Sequence, residues 1–401
     1  MLEATERRAF LKSSAALAAG FVLARAGRAR AAGAQARYRE AIIIDANLVP
    51  PFDDAGALDR TTALAVKTSG LTALKATLGG SSGDFAQATE AIDAYDEGIR
   101  RNPDVYMKIG QVADIARAKR SGKVGIIYSF EGVEMLEAKL DRIDHFFARG
   151  VRVMQLSYNR PSPFASGVLS PQPSAGLTAL GRDAVQRMNA LGVSLDLSHC
   201  DEASSLAAIA ASRKPALITH AGCDAVHAHP RNKSDAVLRA LAGKGGVVGI
   251  YDLSFLCEAP KQPTLDDYLR HVRHALDVCG EDHVGIGSDA LLMPFDTSPE
   301  SMAEWNKDIA ARKASGVGAP GEGPPPFVVG LNRPDRYYPI VDALEQRGYK
   351  PRTIEKVLGL NFQRAFADTW TGSPDSAGEP RFRPHEGAAR EVIRPGLRGV
   401  I

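Results

Sequence analysis

Short apolar runs recur along the chain, each followed by a polar or glycine-bearing loop and then by a longer stretch with helical spacing. The runs are 41–45 (AIIID), 123–129 (KVGIIYS), 151–156 (VRVMQL), 193–197 (VSLDL), 216–219 (ALIT), 246–251 (GVVGIY) and 284–288 (VGIGS). Most are continuous rather than alternating, the pattern of parallel strands buried on both faces. A further run, 327–330 (FVVG), is the candidate eighth. Between the runs, residues 84–102, 176–191, 201–212, 234–244 and 265–279 place apolar or Ala positions at helical intervals, several with Asp or Ser set to cap the first turn. A last helix is expected over 352–369. Strand–helix alternation of this kind predicts right-handed βαβ crossovers. Seven or eight such units give a (β/α)8 TIM-type barrel, with a large doubly wound sheet as the competing architecture. Two excursions break the rhythm. Residues 50–122 read as mostly helical, and 290–336 form a long late insertion whose Gly/Pro-rich part, 316–326, reads as a mobile loop; a lid over the mouth and a subunit contact are both open roles for the insertion.

The ends of the chain carry different signals. Glu6-Arg7-Arg8-Ala9-Phe10-Leu11-Lys12, a modestly apolar stretch over 15–26, and Ala-x-Ala spacing at Ala29/Ala31 and Ala34/Ala36 follow the order of a cleavable twin-arginine export signal. Residues 1–36 are therefore expected to be removed, and the destination is the periplasm or another exported location. Residues 37–372 form one barrel domain, and the Pro/Gly/Arg-rich tail 373–401 is extended. The apolar stretch is too short for a membrane span of about 20 residues. A formal charge of +2, with no long run of Lys and Arg, gives no electrostatic case for nucleic acid. Cys200, Cys223, Cys257 and Cys279 are widely spaced and include no C-x-x-C pair, so buried free thiols are expected rather than a zinc–thiolate site. An oxidising compartment would permit one disulfide that spacing does not assign.

The chemistry lies just after the strands. Glu131 follows 123–129, His199 follows 193–197, His220 follows 216–219, and Asp289 follows 284–288. On a barrel the C-terminal strand ends converge on one mouth, where loops build the active site. A carboxylate with two imidazoles suits zinc or a similar divalent ion, and a second carboxylate, Asp289, is placed to accept and return a proton. A serine nucleophile is not expected, because Gly285-Ile286-Gly287-Ser288 lacks the G-x-S-x-G elbow. His145, His227, His229, His271, His274, His283 and His385 fall off the ligand positions and read as structural or solvent-facing.

The segments 194–200 (SLDLSHC), 219–222 (THAG), His229-Pro230-Arg231-Asn232 with Asp235, and 284–289 (VGIGSD) resemble the membrane (renal) dipeptidase family in order and spacing. So do 176–181 (GLTALG) with Met188-Asn189, and Gly359-Leu360-Asn361-Phe362. The resemblance covers roughly 41–370. It implies an amidohydrolase-type barrel with two zinc ions that hydrolyses dipeptides, including some with a D-residue at the C-terminal position. By position, Glu131 corresponds to the bridging glutamate, and His199 and His220 to the histidines of the second metal. Arg231, with Asn232 beside it, corresponds to the substrate-carboxylate contact, for which a guanidinium fork is apt. Asp289 corresponds to the acid/base. Tyr158 takes the place of a histidine that steadies the oxyanion and also touches substrate, and a phenol can donate the same hydrogen bond.

One departure affects the metals. The family's first strand ends in a His-x-Asp pair that holds the other ion, and the matched positions here are Asn47 and Val49. A shift of register would offer Asp45 and Asn47, and the next loop offers Asp53 or Asp54. Three readings follow. The first is a metallodipeptidase using one zinc ion, or two if the site is restored. The first also admits another amide or a lactone as substrate; the second is a non-catalytic barrel that binds a small ligand, and the third is an unrelated hydrolase on the same barrel. The expected partner is a dipeptide or other small molecule, and a homodimer is the candidate assembly.

Overall fold

The computed structural model describes residues 36–52, 56–79 and 83–370. The expected export signal up to residue 35, Asp53 and Asp54, His385 and the expected tail lie outside the described residues.

The described residues hold eleven strands: β1 (Ile44–Asp45), β2 (Leu48–Val49), β3 (Ala73–Thr77), β4 (Tyr106–Lys108), β5 (Val124–Phe130), β6 (Val151–Gln155), β7 (Ser194–Asp196), β8 (Leu217–Ala221), β9 (Val247–Ile250), β10 (Val284–Ile286) and β11 (Ala290–Leu291). Strands β1, β3 and β5 to β10 pair in parallel, and the β3–β5 ladder closes them into an eight-stranded barrel. Strand β4 lies outside the ring against β5. Strands β2 and β11 continue the β1–β10 pairing beyond the barrel rim as a short parallel ribbon, Ala290 opposite Leu48 and Leu291 opposite Val49.

The eighth strand is β3, not residues 327–330. Its sequence, Ala-Leu-Lys-Ala-Thr, has a helical composition and a Lys at its centre, yet Ala73 to Ala76 are all buried. Tertiary pairing with β1 and β5 overrides local preference here, as it commonly does in sheets. Within 327–330 only Val329 pairs, in an isolated bridge to Thr264, and its side chain is exposed. The region 50–122, expected to be mostly helical, holds helices Arg60–Thr68, Phe85–Arg101 and Val112–Ser121 together with β3 and β4.

The helices begin where the caps require. Asp84, Asp201, Ser234 and Thr264 each accept a backbone N–H of the following turn, which satisfies a donor the helix cannot pair itself. The segment 352–369 is not one continuous helix. Pro351–Glu355 and Asn361–Thr369 flank an irregular turn at Lys356–Leu360, where the Gly359 backbone comes so close to Ile42 and Ile44 that a Cβ would collide with both. Asn361 then donates to the carbonyls of Glu281 and Val284 at 2.8 Å each, and Phe362 packs with Ile44, Ile127, Val153 and Val247 to close the barrel floor. The Gly-Leu-Asn-Phe segment is thus a structural plug. All four cysteines are free, and three are buried. No described helix is long and apolar enough to cross a membrane.

Candidate active site

The barrel mouth collects residues from the ends of several strands and the loops that follow them. Glu131 directly follows β5, His199 lies just past β7, and His220 sits within β8. One ligand atom from each of these three residues lies within 4.8 Å of the others. The two imidazole Nε2 atoms are 2.9 Å apart, and Glu131 Oε2 is 3.9 Å from His199 Nε2. Two nitrogens on one tetrahedral zinc would be about 3.3 Å apart, so the spacing is close to that of a shared ion.

Hydrogen bonds behind the rings set which nitrogen faces the mouth. Thr219 Oγ1 donates to Asp196 Oδ2 at 2.5 Å, which leaves it an acceptor for His220 Nδ1 at 2.9 Å. Asn159 Nδ2 donates to the Val317 carbonyl, so its Oδ1 accepts from His199 Nδ1 at 2.7 Å. Both rings therefore carry their proton on Nδ1, and both Nε2 lone pairs converge on Glu131. Metal-binding histidines are held in this way. Burial, then the Arg231 guanidinium, holds both imidazoles well below their ordinary pKa, in the neutral ligating form. The residues present thus fit a divalent ion at this point.

The opposite side of Glu131 has different chemistry. Asn47, between β1 and β2, donates through Nδ2 to Glu131 Oε1 and to Asp289 Oδ1 at 2.7 Å each. An amide wedged between two carboxyl groups must present its nitrogen, not a lone pair. Val49 has no donor atom. Asp45 is taken up by Ser288 N and Oγ, Tyr337 OH and Asn47 N at 2.5–3.1 Å. It is a buried tie between β1 and β10.

Asp289 is the turn between β10 and β11. Its φ of 53° is a left-handed conformation that costs a non-glycine residue about 1–2 kcal/mol, and its N–H is anchored on the Asn47 carbonyl at 2.7 Å. Burial and the neighbouring Glu131 charge push its carboxyl up to about 7. Next to it, Gly287 has no room for a side chain, because a Cβ would collide with the Thr219 carbonyl oxygen beside His220. Arg231 is buried, not a surface ion pair. It donates through Nη1 to the Ser198 carbonyl at 2.6 Å, and Nη2 lies 3.2 Å from His199 Nε2. The Tyr158 ring stacks on His199 at 4.1 Å, and burial pushes its phenol up to about 12, so it keeps its proton.

Asn232 departs from expectation. Its amide donates to the His227 and Phe255 carbonyls and accepts from Tyr251 OH at 2.5 Å, so no polar atom is left for substrate. It shapes the loop that carries Arg231.

The late insertion forms the roof. Helix Pro299–Ala314 and the loop after it close over a small cleft that also holds Tyr158, Arg231 and Asp289. Trp305 and Arg312 reach in from this helix, and Pro324 and Pro326 from the loop. The expected mobile loop is tied down by Trp305 Nε1 to the Gly323 carbonyl at 2.7 Å and by Arg312 Nε to Glu322 Oε1 at 2.8 Å. Arg312 Nη2 also donates to Tyr158 OH at 3.1 Å. Sequence reasoning missed Arg312, Trp305, Asn159 and Lys75. Arg312 and Trp305 follow no strand run, Asn159 lies past 151–156 with no charge to mark it, and only the strand assignment of β3 would have singled out Lys75.

The known proteins give the same picture. The chain is 29% identical over 257 residues to the dipeptidase tcpJ of Claviceps purpurea, a match covering 64% of this chain and 53% of that one. The chain thus spans about half the length of that curated relative. An amidohydrolase from Pseudomonas aeruginosa superposes with a TM-score of 0.71 at 28% identity, over 84% of this chain and 99% of the other. A metallopeptidase from Rhodobacter sphaeroides, solved with a phosphinate mimic of the dipeptide L-Ala-D-Ala, superposes with a TM-score of 0.64 at 22% identity, over 82% of this chain and all of that one, which shows the shared fold. The family model of membrane dipeptidase (peptidase family M19) matches residues 63–313, well over half of the sequence. The chain belongs to the membrane dipeptidase family, M19, of metallopeptidases.

Proposed function

We propose that this protein is a metal-dependent dipeptidase and that zinc is its ion. The observation that carries this reading is the convergence of Glu131, His199 and His220, with both imidazoles neutral and oriented from behind, beside an Asp whose carboxyl is pushed up to about 7. A bound divalent ion would supply Lewis acidity toward a carbonyl and would acidify water.

The chain's own groups would do the rest. Asp289, at a pKa near neutrality, can take a proton from the attacking water and return it to the departing amine. Tyr158 accepts from Arg312 and keeps its own proton, so its O–H is free to donate to the oxygen that gains charge. Arg231 lies in the same cleft to hold a substrate carboxylate. Phe255, Trp305 and the roof prolines give an apolar wall to the same cleft. The dipeptide mimic bound by the Rhodobacter enzyme supports a dipeptide, with a D-residue allowed at the C-terminal position. A barrel that only binds a ligand would leave the perturbed Asp289 without a role. The twin-arginine pattern at Arg7-Arg8 supports export before action.

The test is hydrolysis of a panel of L,L- and L,D-dipeptides by the purified protein, with Asp289→Asn alongside. We expect turnover by the parent protein and a loss of about 10²–10⁴ in kcat for the variant, the usual worth of an acid/base. Undiminished turnover by the variant would remove Asp289 from this role.

A further inference from the structure

We infer that this chain holds a single metal ion, and that Asn47 and Lys75 occupy the place where a second would have to bind. The inference rests on the reading of Glu131, His199 and His220 as metal ligands.

The two oxygens of Glu131 have unlike surroundings. Oε2 faces the histidines. Oε1 accepts from Asn47 Nδ2 at 2.7 Å and from Thr77 Oγ1 at 2.9 Å, and Lys75 Nζ lies 4.0 Å from it. Two donors and a nearby cation therefore already compensate this oxygen, and its lone pairs are committed. The second hydrogen of the Asn47 amide goes to Asp289 Oδ1, so one NH2 group fills the space between the two carboxyl groups.

Lys75 supplies the charge that goes with this arrangement. It is the central residue of β3, fully buried, with its ammonium hydrogen-bonded to Ser129 Oγ at 3.2 Å and pointing toward the mouth. A buried ammonium is costly unless an anion compensates it, and Glu131 is the carboxylate with which it forms an ion pair. A second divalent ion on Oε1 would displace the Asn47 and Thr77 hydrogen bonds and sit against a fixed like charge in a medium of low dielectric. Asn47 offers no compensation, since turning its carbonyl toward the ion would leave Asp289 facing a lone pair. The nearest carboxylate in sequence, Asp45, is already saturated by four donors. Three groups thus act together, the Lys75 ammonium and Thr77 hydroxyl from β3 and the Asn47 amide from the link between β1 and β2, all on one side of one carboxylate.

Counting metal decides the matter. The purified protein is stripped with chelator, saturated with Zn2+ or Co2+, freed of excess ion, and assayed for metal per chain by mass spectrometry. One equivalent is expected. Two equivalents would overturn the single-ion inference and leave the metallodipeptidase reading intact, whereas none would overturn that reading itself. The variant Asn47→His, Val49→Asp, Lys75→Ala is assayed in parallel, with its melting curve to establish that it folds. It should take up a second equivalent. A folded variant that remains at one equivalent would show that Asn47 and Lys75 are not what excludes the second ion; should it fail to fold, the count on the parent protein still decides.

Discussion

Replacing Asn159 with Leu tests how the site is oriented without touching a ligand. Asn159 lies in the loop after β6, buried, and its Oδ1 accepts the Nδ1 proton of His199 at 2.7 Å while its Nδ2 is held by the Val317 carbonyl. Leu is close in shape and has no acceptor. Either the His199 Nδ1–H is then left buried without a partner, or the proton moves to Nε2 and the lone pair turns away from Glu131. The first outcome costs about 1–3 kcal/mol of folding stability. The second disables one of three ligands. Loss of such a supporting contact typically weakens metal binding by about 10–100-fold, or about 1.4–2.8 kcal/mol. The assay is competition for Zn2+ against a chromophoric chelator at neutral pH, with thermal melting of the metal-free protein run beside it. Asn159→Asp keeps an acceptor and should hold or raise affinity. If Asn159→Leu binds zinc within twofold of the parent and melts at the same temperature, the imidazole is not held by this bond and the reasoning fails.

The remaining predictions concern stability. His271 is fully buried; its Nδ1 accepts from Cys223 N at 2.9 Å and its Nε2 donates to the Leu256 carbonyl at 3.0 Å, so a second proton would meet an N–H, and burial depresses its pKa to about 4. The unfolded chain takes that proton near pH 6.5 and the folded one does not, so stability is full above 6.5 and falls as pH drops toward 4, by about 3 kcal/mol in all from this residue. Denaturant unfolding of His271→Asn against the parent between pH 4 and 7 should show a shallower slope; equal slopes would exclude the assignment. Phe362→Ala, which opens the barrel floor, should cost about 3–5 kcal/mol, read as a fall in melting temperature with the metal count unchanged.

Much of this architecture was legible because strands, caps and strand-end residues obey local rules. Asp84, Asp201 and Ser234 cap helices where the polar-to-apolar transition placed them, and Glu131, His199 and His220 meet because barrel strands share one mouth. What escaped was set by tertiary context. Ala73–Thr77 becomes a strand only because β1 and β5 flank it, and the cost of burying Lys75 is met by Ser129 and Glu131 more than fifty residues away. The run 327–330 has a strand's composition but no neighbour to make a ladder. Asn232 adjoins Arg231 in the chain, yet its amide turns to Tyr251 and two carbonyls. Arg312 and Trp305 lie on a helix with no buried face, so its apolar pattern carried no hint that two side chains reach the cleft.

Trp305, Arg312, Glu322, Pro324 and Pro326 come from one contiguous piece of chain, whereas Glu131, His199, His220 and Asp289 are each fixed by a different barrel strand. Exchange of that single piece would alter which side chains line the cleft, and through Val317 on Asn159 and Arg312 on Tyr158 it would also reach the groups that orient His199 and the Tyr158 hydroxyl. A descendant that swaps this piece must therefore keep those two contacts while it changes the rest of the wall.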